Sequence, residues 1–217
     1  MHYSFLTLDI PVITITEDDV QCDELHVSLQ SNDTCLSNIS SPEDAILEYQ
    51  KLVINEEQPK QRFCVCRVDG ISELRTDIMG IYKKPDLKLT ANPKVRFEEE
   101  DAVGSGPIRE FLVSAITVIA EGIPSLSGRS KPIIFFEGEK DHLIPIHDRT
   151  LRLSGAFKAA GRIIGHSILH GGPGLHGISP AIKHLLATST ESDEPVPIVL
   201  EDVPDMELRH LINQVSM

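Results

Sequence analysis

Residues 106–122, with the sequence GPIREFLVSAITVIAEG, carry the clearest structural signal in the chain. Pro107 suits the first turn of a helix, and Gly122 followed by Pro124 is a typical helix end. Apolar side chains recur at the three- and four-residue spacing of one helix face, namely at Ile108, Phe111, Leu112, Ala115, Ile116 and Ile119. The stretch therefore predicts an amphipathic helix.

Four other segments carry helix signals. Ser41–Asp44 is a good helix start, because Ser can cap the first turn, Pro42 fits that turn and acids suit it. Further helices are predicted from about Ser154 to His170, from Ser179 and from Pro204. Their apolar stripes are, in chain order, Ile46, Tyr49, Leu52 and Val53, then Phe157, Ala160, Gly161, Ile164 and Ile168, then Ile182, Leu185 and Leu186, and last Leu208, Leu211, Ile212 and Val215.

Three short segments have the composition or alternation of strands. They are Arg62–Val68, Lys94–Glu98 and Pro132–Glu137. Because helices dominate the C-terminal half and short strands lie between them, the predicted fold class is α+β with mostly helical packing.

Acidic charge is concentrated at the N-terminal end. The first 60 residues hold 12 Asp and Glu against two Lys, out of 33 acidic and 20 basic residues in the whole chain. This step in composition indicates a boundary near Asn55–Lys60. We expect an acidic tail with a lead-in helix over residues 1–60 and a domain over residues 61–217. The polar stretch Gln21–Ser41 is expected to be poorly ordered.

The overall balance also excludes several classes of protein. A net charge of −13 argues against binding nucleic acid or an anionic membrane by bulk charge. No apolar run approaches the roughly 20 residues of a membrane helix, and Met1–Leu6 does not resemble the start of a signal peptide. Four cysteines are too few for a disulfide scaffold. We therefore expect an intracellular protein, cytoplasmic or nuclear.

The sequence contains two groups of potential metal ligands. His166 and His170 are four apart on one predicted helix, so both can face a single ion, and His176 could add a third ligand. The segment lacks the Glu of a metalloprotease helix, and two helix-end histidines are the simpler interpretation. Cys64 and Cys66 alternate on a predicted strand and are interpreted as two small buried apolar residues. We expect neither a metal nor another cofactor.

The N-terminal tail contains a sharper feature. An aliphatic, β-prone run is formed by Ile10, Val12, Ile13 and Ile15, and Glu17–Asp19 follow it directly. Such a run can add as a strand to the sheet edge of a partner while its acids meet basic residues. The run resembles a SUMO-interacting motif; the alternative is an ordinary edge strand of its own domain.

From Arg62 onward the order of short motifs resembles the N-terminal lobe of the HECT ubiquitin-ligase domain, most closely that of the G2/M-phase-specific ubiquitin-ligase group. The resemblance covers about 155 residues. The matching stretches are Arg62–Arg67, Val95–Phe97, Gly106–Phe111, Phe135–Gly138, Ala160–Ser167, His170–Gly174 and Leu200–Asp205.

This resemblance implies a scaffold more than a catalyst. Its motif residues with a structural role are Arg109, Glu110, Phe111, Gly161, Arg162 and Gly165. Glu110 meets the positive end of a helix dipole, and Gly161 with Gly165 is expected to leave a groove for close packing. The stretch Val103–Gly106 departs from the family pattern by being one residue short.

In HECT domains, the subdomain that recruits the conjugating enzyme and the lobe with the ubiquitin-accepting cysteine follow after the matched region. The chain ends at Met217 and has no cysteine after Cys66. We therefore expect a ubiquitin-ligase-like protein or fragment that is not catalytic alone, with partners in the ubiquitin or SUMO system. Two alternatives remain: a non-enzymatic binding module that uses residues 10–15, and a metal-dependent enzyme that uses His166 and His170.

Overall fold

The structure, a computed structural model, describes residues 41–68, 70–124, 131–188 and 195–215. About half of these residues are helical and the strands are few and short, so the predicted α+β class with mostly helical packing is confirmed. The predicted strand at Ile10–Ile15, Cys22, Cys35 and the polar stretch before Ser41 lie outside the described residues. No helix in the described ranges combines the length and apolarity that crossing a membrane requires.

The chain divides into two compact units. Among the described residues, the larger unit contains 41–134 and 155–175, and the smaller unit contains 135–154 and 176–215. The larger unit is built from α1 (Pro42–Val53), β1 (Gln61–Val65), α2 (Ile71–Tyr82), β2 (Pro93–Phe97), α3 (Ser105–Glu121) and α5 (Ala156–Leu169). The smaller unit is built from β3 (Phe136–Glu137), β4 (Ile144–Pro145), α4 (Arg149–Leu153), α6 (Pro180–Ala187), a 3-10 turn (Leu200–Asp202) and α7 (Met206–Val215).

A parallel two-stranded sheet, β1 with β2, lies in the larger unit. Phe63 is opposite Val95 and Val65 is opposite Phe97, and all four side chains are buried. The residues between them face outward, as the alternation of a strand requires. The helices α2 and α3 pack against the sheet, and α5 packs against both helices. Two of the predicted strands are thus confirmed, with slightly different ends.

The central helix α3 matches the segment with which the sequence analysis began. Its side chains at Phe111, Leu112, Ala115 and Ile119 are all buried. The helix ends at Gly122, which has a φ of 89°. A Cβ atom there would lie 2.5 Å from the carbonyl oxygen of Ile133, so only glycine fits.

The helix predicted from Ser154 forms as α5 and buries Phe157 and Ala160 as predicted, but toward its C-terminal end it buries a different face. Gly155, in the left-handed region with a φ of 70°, precedes the first residue of the helix. Ile168, predicted to be on the apolar stripe, is exposed, whereas Arg162, Ile163 and His166 are buried. The apolar spacing did not identify this face, because it includes two polar side chains that have hydrogen-bond partners inside the unit.

Capping side chains lie at the starts of some of the helices, among them α1 and α6. Ser41 accepts a hydrogen bond from the Asp44 amide (3.1 Å), and Ser179 accepts one from the Ala181 amide (3.0 Å), as the sequence indicated. The prediction that Leu186 faces inward was wrong, because its side chain is exposed on α6. Helix α2 and the short helix α4 were not predicted.

The helices α1 and α7 leave their apolar stripes exposed in the described structure. On α1, only Val53 is buried. On α7, no residue is buried. The exposed apolar residues of the two helices are Ile46, Leu47, Tyr49, Leu52, Met206, Leu208, Leu211, Ile212 and Val215. The helical spacing therefore predicted these two helices correctly, but it did not predict that their apolar stripes are exposed.

The register of β1 can be tested with two neighbouring substitutions. Phe63→Ala removes a buried ring, and we expect the free energy of unfolding to fall by about 3–5 kcal/mol. Cys64→Ala changes an exposed side chain on the same strand, so its effect should stay within about 0.5 kcal/mol. Urea unfolding followed by circular dichroism measures both, since the chain has no Trp. Equal losses in the two variants would contradict this register.

Candidate functional site

Four buried rings meet in the larger unit: Phe63, Tyr82, Phe111 and His166. We call them the ring cluster. The centroid of Phe63 lies 4.9 Å from that of Phe111 and 5.4 Å from that of His166. The Tyr82 hydroxyl and His166 Nδ1 form a hydrogen bond of 2.7 Å. Because the rings come from β1, α2, α3 and α5, the ring cluster fixes four elements relative to one another.

Burial sets the protonation state of the polar members of the ring cluster. Burial, with a contribution from the charge of His170, lowers the pKa of His166 to about 3. Burial also raises the pKa of Tyr82. Both groups are therefore neutral at pH 7, and their hydrogen bond joins two uncharged partners. The Nε2 atom of His166 is buried and has no hydrogen-bond partner within the described residues.

His170 lies beside His166, with 4.6 Å between the ring centroids. Its Nε2 is 2.8 Å from the carbonyl oxygen of Leu89. Since a carbonyl can only accept, Nε2 carries the proton and donates it. Burial lowers the pKa of His170, and the bond to Leu89 opposes that effect. The two histidines do face each other, as their spacing indicated.

The histidine pair lacks the other features of a metal site. His170 Nε2 donates to a carbonyl and His166 Nδ1 is bonded to Tyr82, so one nitrogen of each ring is already engaged. His176, the third ligand that was considered, belongs to the smaller unit. In the part of the chain that the structure describes, no three His, Cys, Asp or Glu residues form a group that could hold a metal ion.

Arg162 is buried beneath the C-terminal end of α2. Its Nη1 donates to the carbonyl oxygens of Tyr82 (3.2 Å) and Lys84 (3.0 Å). The last carbonyls of a helix have no partner within the helix, and the helix dipole makes that end negative. A cation from α5 therefore caps α2 and places Tyr82 for its bond with His166.

Arg67, just after β1, joins three of the sequence motifs. Its Nη2 donates to Glu100 (2.6 Å), and it also forms an ion pair with Glu110 on α3. The guanidinium lies 4.5 Å from the centroid of the Phe97 ring, a cation–π arrangement. Glu110 therefore pairs with a side chain from another element. The prediction that it meets the positive end of the helix dipole was wrong, because α3 begins at Ser105 and Glu110 lies beyond its first turn.

The other predicted motif residues take up varied positions. Phe111 is buried in the ring cluster, Arg109 is exposed on α3 and Gly161 is half-buried. The close packing expected at Gly165 was wrong: that residue is exposed, and a Cβ atom there would meet no atom within 4 Å. The close packing predicted for Gly161 and Gly165 is therefore not seen at Gly165.

The interpretation of the cysteines as buried residues was also wrong. Cys64 is exposed and Cys66 is partly exposed. The strand places Phe63 and Val65 inward, so Cys64 between them must face outward. Its Sγ lies 3.7 Å from Glu98 Oε1.

A second polar group lies in the smaller unit, around the buried carboxylate of Asp202. This carboxylate accepts from the Val199 amide (3.0 Å) and bonds to His142 Nδ1 (2.9 Å) and to the Ser179 hydroxyl. Burial alone would raise the pKa of Asp202, but these three hydrogen bonds outweigh it and lower the pKa. This arrangement differs from a hydrolase triad, in which His lies between the Ser and the carboxylate. Here the carboxylate of Asp202 lies between Ser179 and His142, and the Ser179 hydroxyl caps α6.

Tyr82 and His142 were not predicted from the sequence as functional residues. Tyr82 was missed because α2 was missed, although Leu74, Ile78 and Tyr82 have the four-residue spacing of a helix face. No sequence signal links His142 to Asp202, because 60 positions separate them.

No protein-family model matches the chain, and a search of curated proteins finds no match. The resemblance to the HECT N-terminal lobe therefore depends on the motifs of the sequence and on what their residues do in the fold.

The pKa of His166 leads to a pH dependence of stability. The folded state keeps His166 neutral down to about pH 3, whereas the unfolded state binds a proton below about pH 6.5. The free energy of unfolding should therefore fall as the pH falls from 6.5, by about 2 kcal/mol at pH 5 from this residue alone. Urea unfolding at pH 7 and pH 5 measures the loss, which His166→Gln should reduce.

If His166→Gln does not fold, the wild-type protein still provides a test. The ring resonances of His166 should keep the shifts of neutral imidazole down to pH 5 in NMR spectra. A titration midpoint near pH 6.5 for this ring would contradict the proposed cause.

We predict that the protein binds no stoichiometric zinc, because the histidine pair has neither free ligand atoms in the required number nor a third ligand within the described residues. Elemental analysis of protein purified without chelator or affinity tag should give well under one zinc per chain. A full equivalent that is lost in His166→Ala would overturn the prediction.

Proposed function

We propose that the chain is a HECT-type ubiquitin-ligase-like scaffold that corresponds to the N-terminal lobe and does not itself transfer ubiquitin. Its proposed role is in the ubiquitination pathway, through protein partners. The observation that carries the proposal is the convergence of motif residues, distant in sequence, on the polar and aromatic contacts that hold the larger unit together.

Three of the motifs meet at Arg67. This residue ends the first motif, its guanidinium lies over Phe97 of the second, and it pairs with Glu110 of the third. The first and third motifs meet again where Phe63 packs on Phe111. Residues that were selected by their order along the chain are thus in direct contact, which supports the view that the motifs describe one domain.

The motif at residues 160–167 supplies the remaining contacts. Arg162 caps α2, and His166 bonds to Tyr82 in the ring cluster. Ser167 donates to the carbonyl oxygen of Pro173, which lies in the next motif (2.7 Å). Each of these polar groups positions a helix end or a loop. Such contacts are what a scaffold domain needs.

Catalysis by a HECT ligase needs a cysteine that accepts ubiquitin as a thioester. None of the four cysteines matches that position in the family. Cys64, the exposed one among the described residues, lies within a strand, and its thiol contacts the carboxylate of Glu98. A thiol held in a sheet lacks the mobility that moves ubiquitin from a conjugating enzyme to a substrate.

We therefore expect no ubiquitin thioester and no self-ubiquitination above control when the chain is mixed with activating enzyme, conjugating enzymes and ATP. Gels run with and without reducing agent measure both products. A reducing-agent-sensitive adduct that is lost in Cys64→Ser or in Cys66→Ser would show that the chain is a catalyst.

The family part of the proposal has its own test. An experimental structure should superpose on HECT N-terminal lobes over the larger unit, with α3 and α5 as equivalent helices in the same chain order. A different order of elements would contradict the family assignment and leave the contacts described above unchanged.

A further inference from the structure

The outward face of the β1–β2 sheet carries more positive than negative charge. Strand β1 displays Arg62 and Cys64 on this face and β2 displays Lys94 and Arg96, all of them exposed. Glu98 follows the end of β2, and its carboxylate contacts the Cys64 thiol, so the face holds three cations and one carboxylate. Within the described residues, no side chain pairs with any of the three cations.

The register opposes two of these cations. Arg62 is the cross-strand partner of Lys94, and Cys64 is the partner of Arg96. Like charges in directly opposed positions destabilise a sheet. Glu98 lies past the C-terminal end of β2, so the positive charge is concentrated at the other end of the face, around Arg62 and Lys94. An anionic group bound beside that end would relieve the repulsion.

Strand β1 also has an edge that is open for hydrogen bonding. The Gln61 amide donates to Asn92 (3.0 Å), and the Val65 carbonyl accepts from the Glu98 amide (3.0 Å), so both groups point toward β2. By alternation, the backbone groups of Arg62 and Cys64 point away from β2. Among the described residues, β1 pairs with β2 alone, and no other backbone group bonds to these two residues. The cationic face and the open edge therefore adjoin at Arg62.

The outer edge of β2 is less suited to pairing. It begins at Pro93, which has no amide proton, and the Phe97 carbonyl already accepts from the Glu100 amide (3.3 Å). An added strand therefore finds more free donors and acceptors beside β1.

We propose that the outer edge of β1 binds an acidic segment of another protein in an extended conformation. The main chain of that segment exchanges hydrogen bonds with the backbone of Arg62 and Cys64. Every second side chain of an extended segment lies on one face, so Asp or Glu at alternate positions all lie on the side of Arg62. The long side chains of Lys94 and Arg96 reach toward the same acids across the sheet.

An acidic peptide fits this surface better than a nucleic acid does. A nucleic acid offers phosphates to the cations, but it has no alternating amides and carbonyls to pair with the edge of β1. The net charge of −13 also opposes the approach of a long polyanion. The inference is independent of the proposed ligase-like function, because it depends on the exposed side of the sheet and not on the ring cluster.

Fluorescence anisotropy on the full chain tests the charge requirement. The probe is a fluorescein-labelled peptide of about ten alternating Glu and Thr residues, the length of a long strand. Arg62→Glu/Lys94→Glu/Arg96→Glu should raise its Kd at least about tenfold, because three exposed attractions become repulsions. Lys140→Glu/Arg149→Glu/Lys183→Glu makes the same change in net charge at exposed positions of the smaller unit, and it should change Kd by less than about twofold in about 0.15 M salt.

Two N-methylated forms of the peptide test the backbone requirement. One carries methyl groups on the Glu amides and the other on the Thr amides, and both keep every charge. Because alternate amides of a strand point to opposite edges, only one of the two forms should lose binding.

Amide hydrogen exchange, followed by NMR, locates the contact in the wild-type protein. Saturating peptide should slow the exchange of the Arg62 and Cys64 amides at least about tenfold, because the added strand accepts their hydrogen bonds. The Gln61 amide already donates to Asn92 and should exchange equally with and without peptide. This measurement needs no variant, so it decides the question even if the triple substitution on the sheet prevents folding.

Four results would overturn the proposal. The first is slow exchange of the Arg62 and Cys64 amides before peptide is added, which would show that the edge is already occupied. The second is an equal effect of the two triple variants, and the third is equal binding of the two N-methylated peptides. The fourth is a single-stranded oligonucleotide of the same charge that binds as tightly as the peptide, which would show that the face responds to charge alone.

Discussion

The hydrogen bond between Tyr82 and His166 is the contact on which the arrangement of the larger unit depends. It joins the last residue of α2 to the interior of α5, within a ring cluster that also receives β1 and α3. Burying two polar groups stabilises a fold only when they satisfy each other, since an unpartnered buried polar group costs more than its hydrogen bond contributes. The pair therefore favours one position of α5 over rotations that would bury only apolar residues. That is why Ile163 is buried and Ile168 is not.

Arg162 makes this preference stronger. It lies on the same helix as His166, and it bonds to the carbonyl at the end of α2 while His166 bonds to the side chain of the same residue, Tyr82. One residue of α2 is thus held twice by α5, through its backbone and through its ring. A helix held by two directional contacts has one orientation, whereas an apolar stripe alone allows several.

The sequence was informative wherever the apolar pattern and the polar requirements agreed. The bounds of α3, the cap at Ser41 and the start at Ser179 followed from local chemistry, and the structure has them where they were predicted. The face of α5 did not follow, because periodicity counts Arg162 and His166 as polar and assigns them to the solvent. The partners that allow them to be buried, Tyr82 and Lys84, lie about 80 positions away.

The same limit explains the error at the cysteines. A strand with the sequence QRFCV offers two alternating faces, one with Phe63 and Val65 and the other with Arg62 and Cys64. If Cys64 were buried, Arg62 on the same face would be buried as well. The larger apolar pair, Phe63 and Val65, is buried instead, and the Cys64 thiol is therefore exposed.

The distribution of polar groups also bears on where function can lie in the larger unit. Its buried polar side chains, Arg162, His166 and Ser167, each bond to a backbone carbonyl or to a ring of the cluster. Apart from His166 Nε2, which has no partner within the described residues, the groups engaged in this way fix helices and loops and cannot bind a ligand without weakening the fold. Arg62, Lys94 and Arg96 are exposed on the outward face of the β1–β2 sheet, on the side away from the ring cluster. Selection for a partner can therefore act on these exposed residues with little cost to stability, while selection on the buried residues of the motifs is dominated by folding.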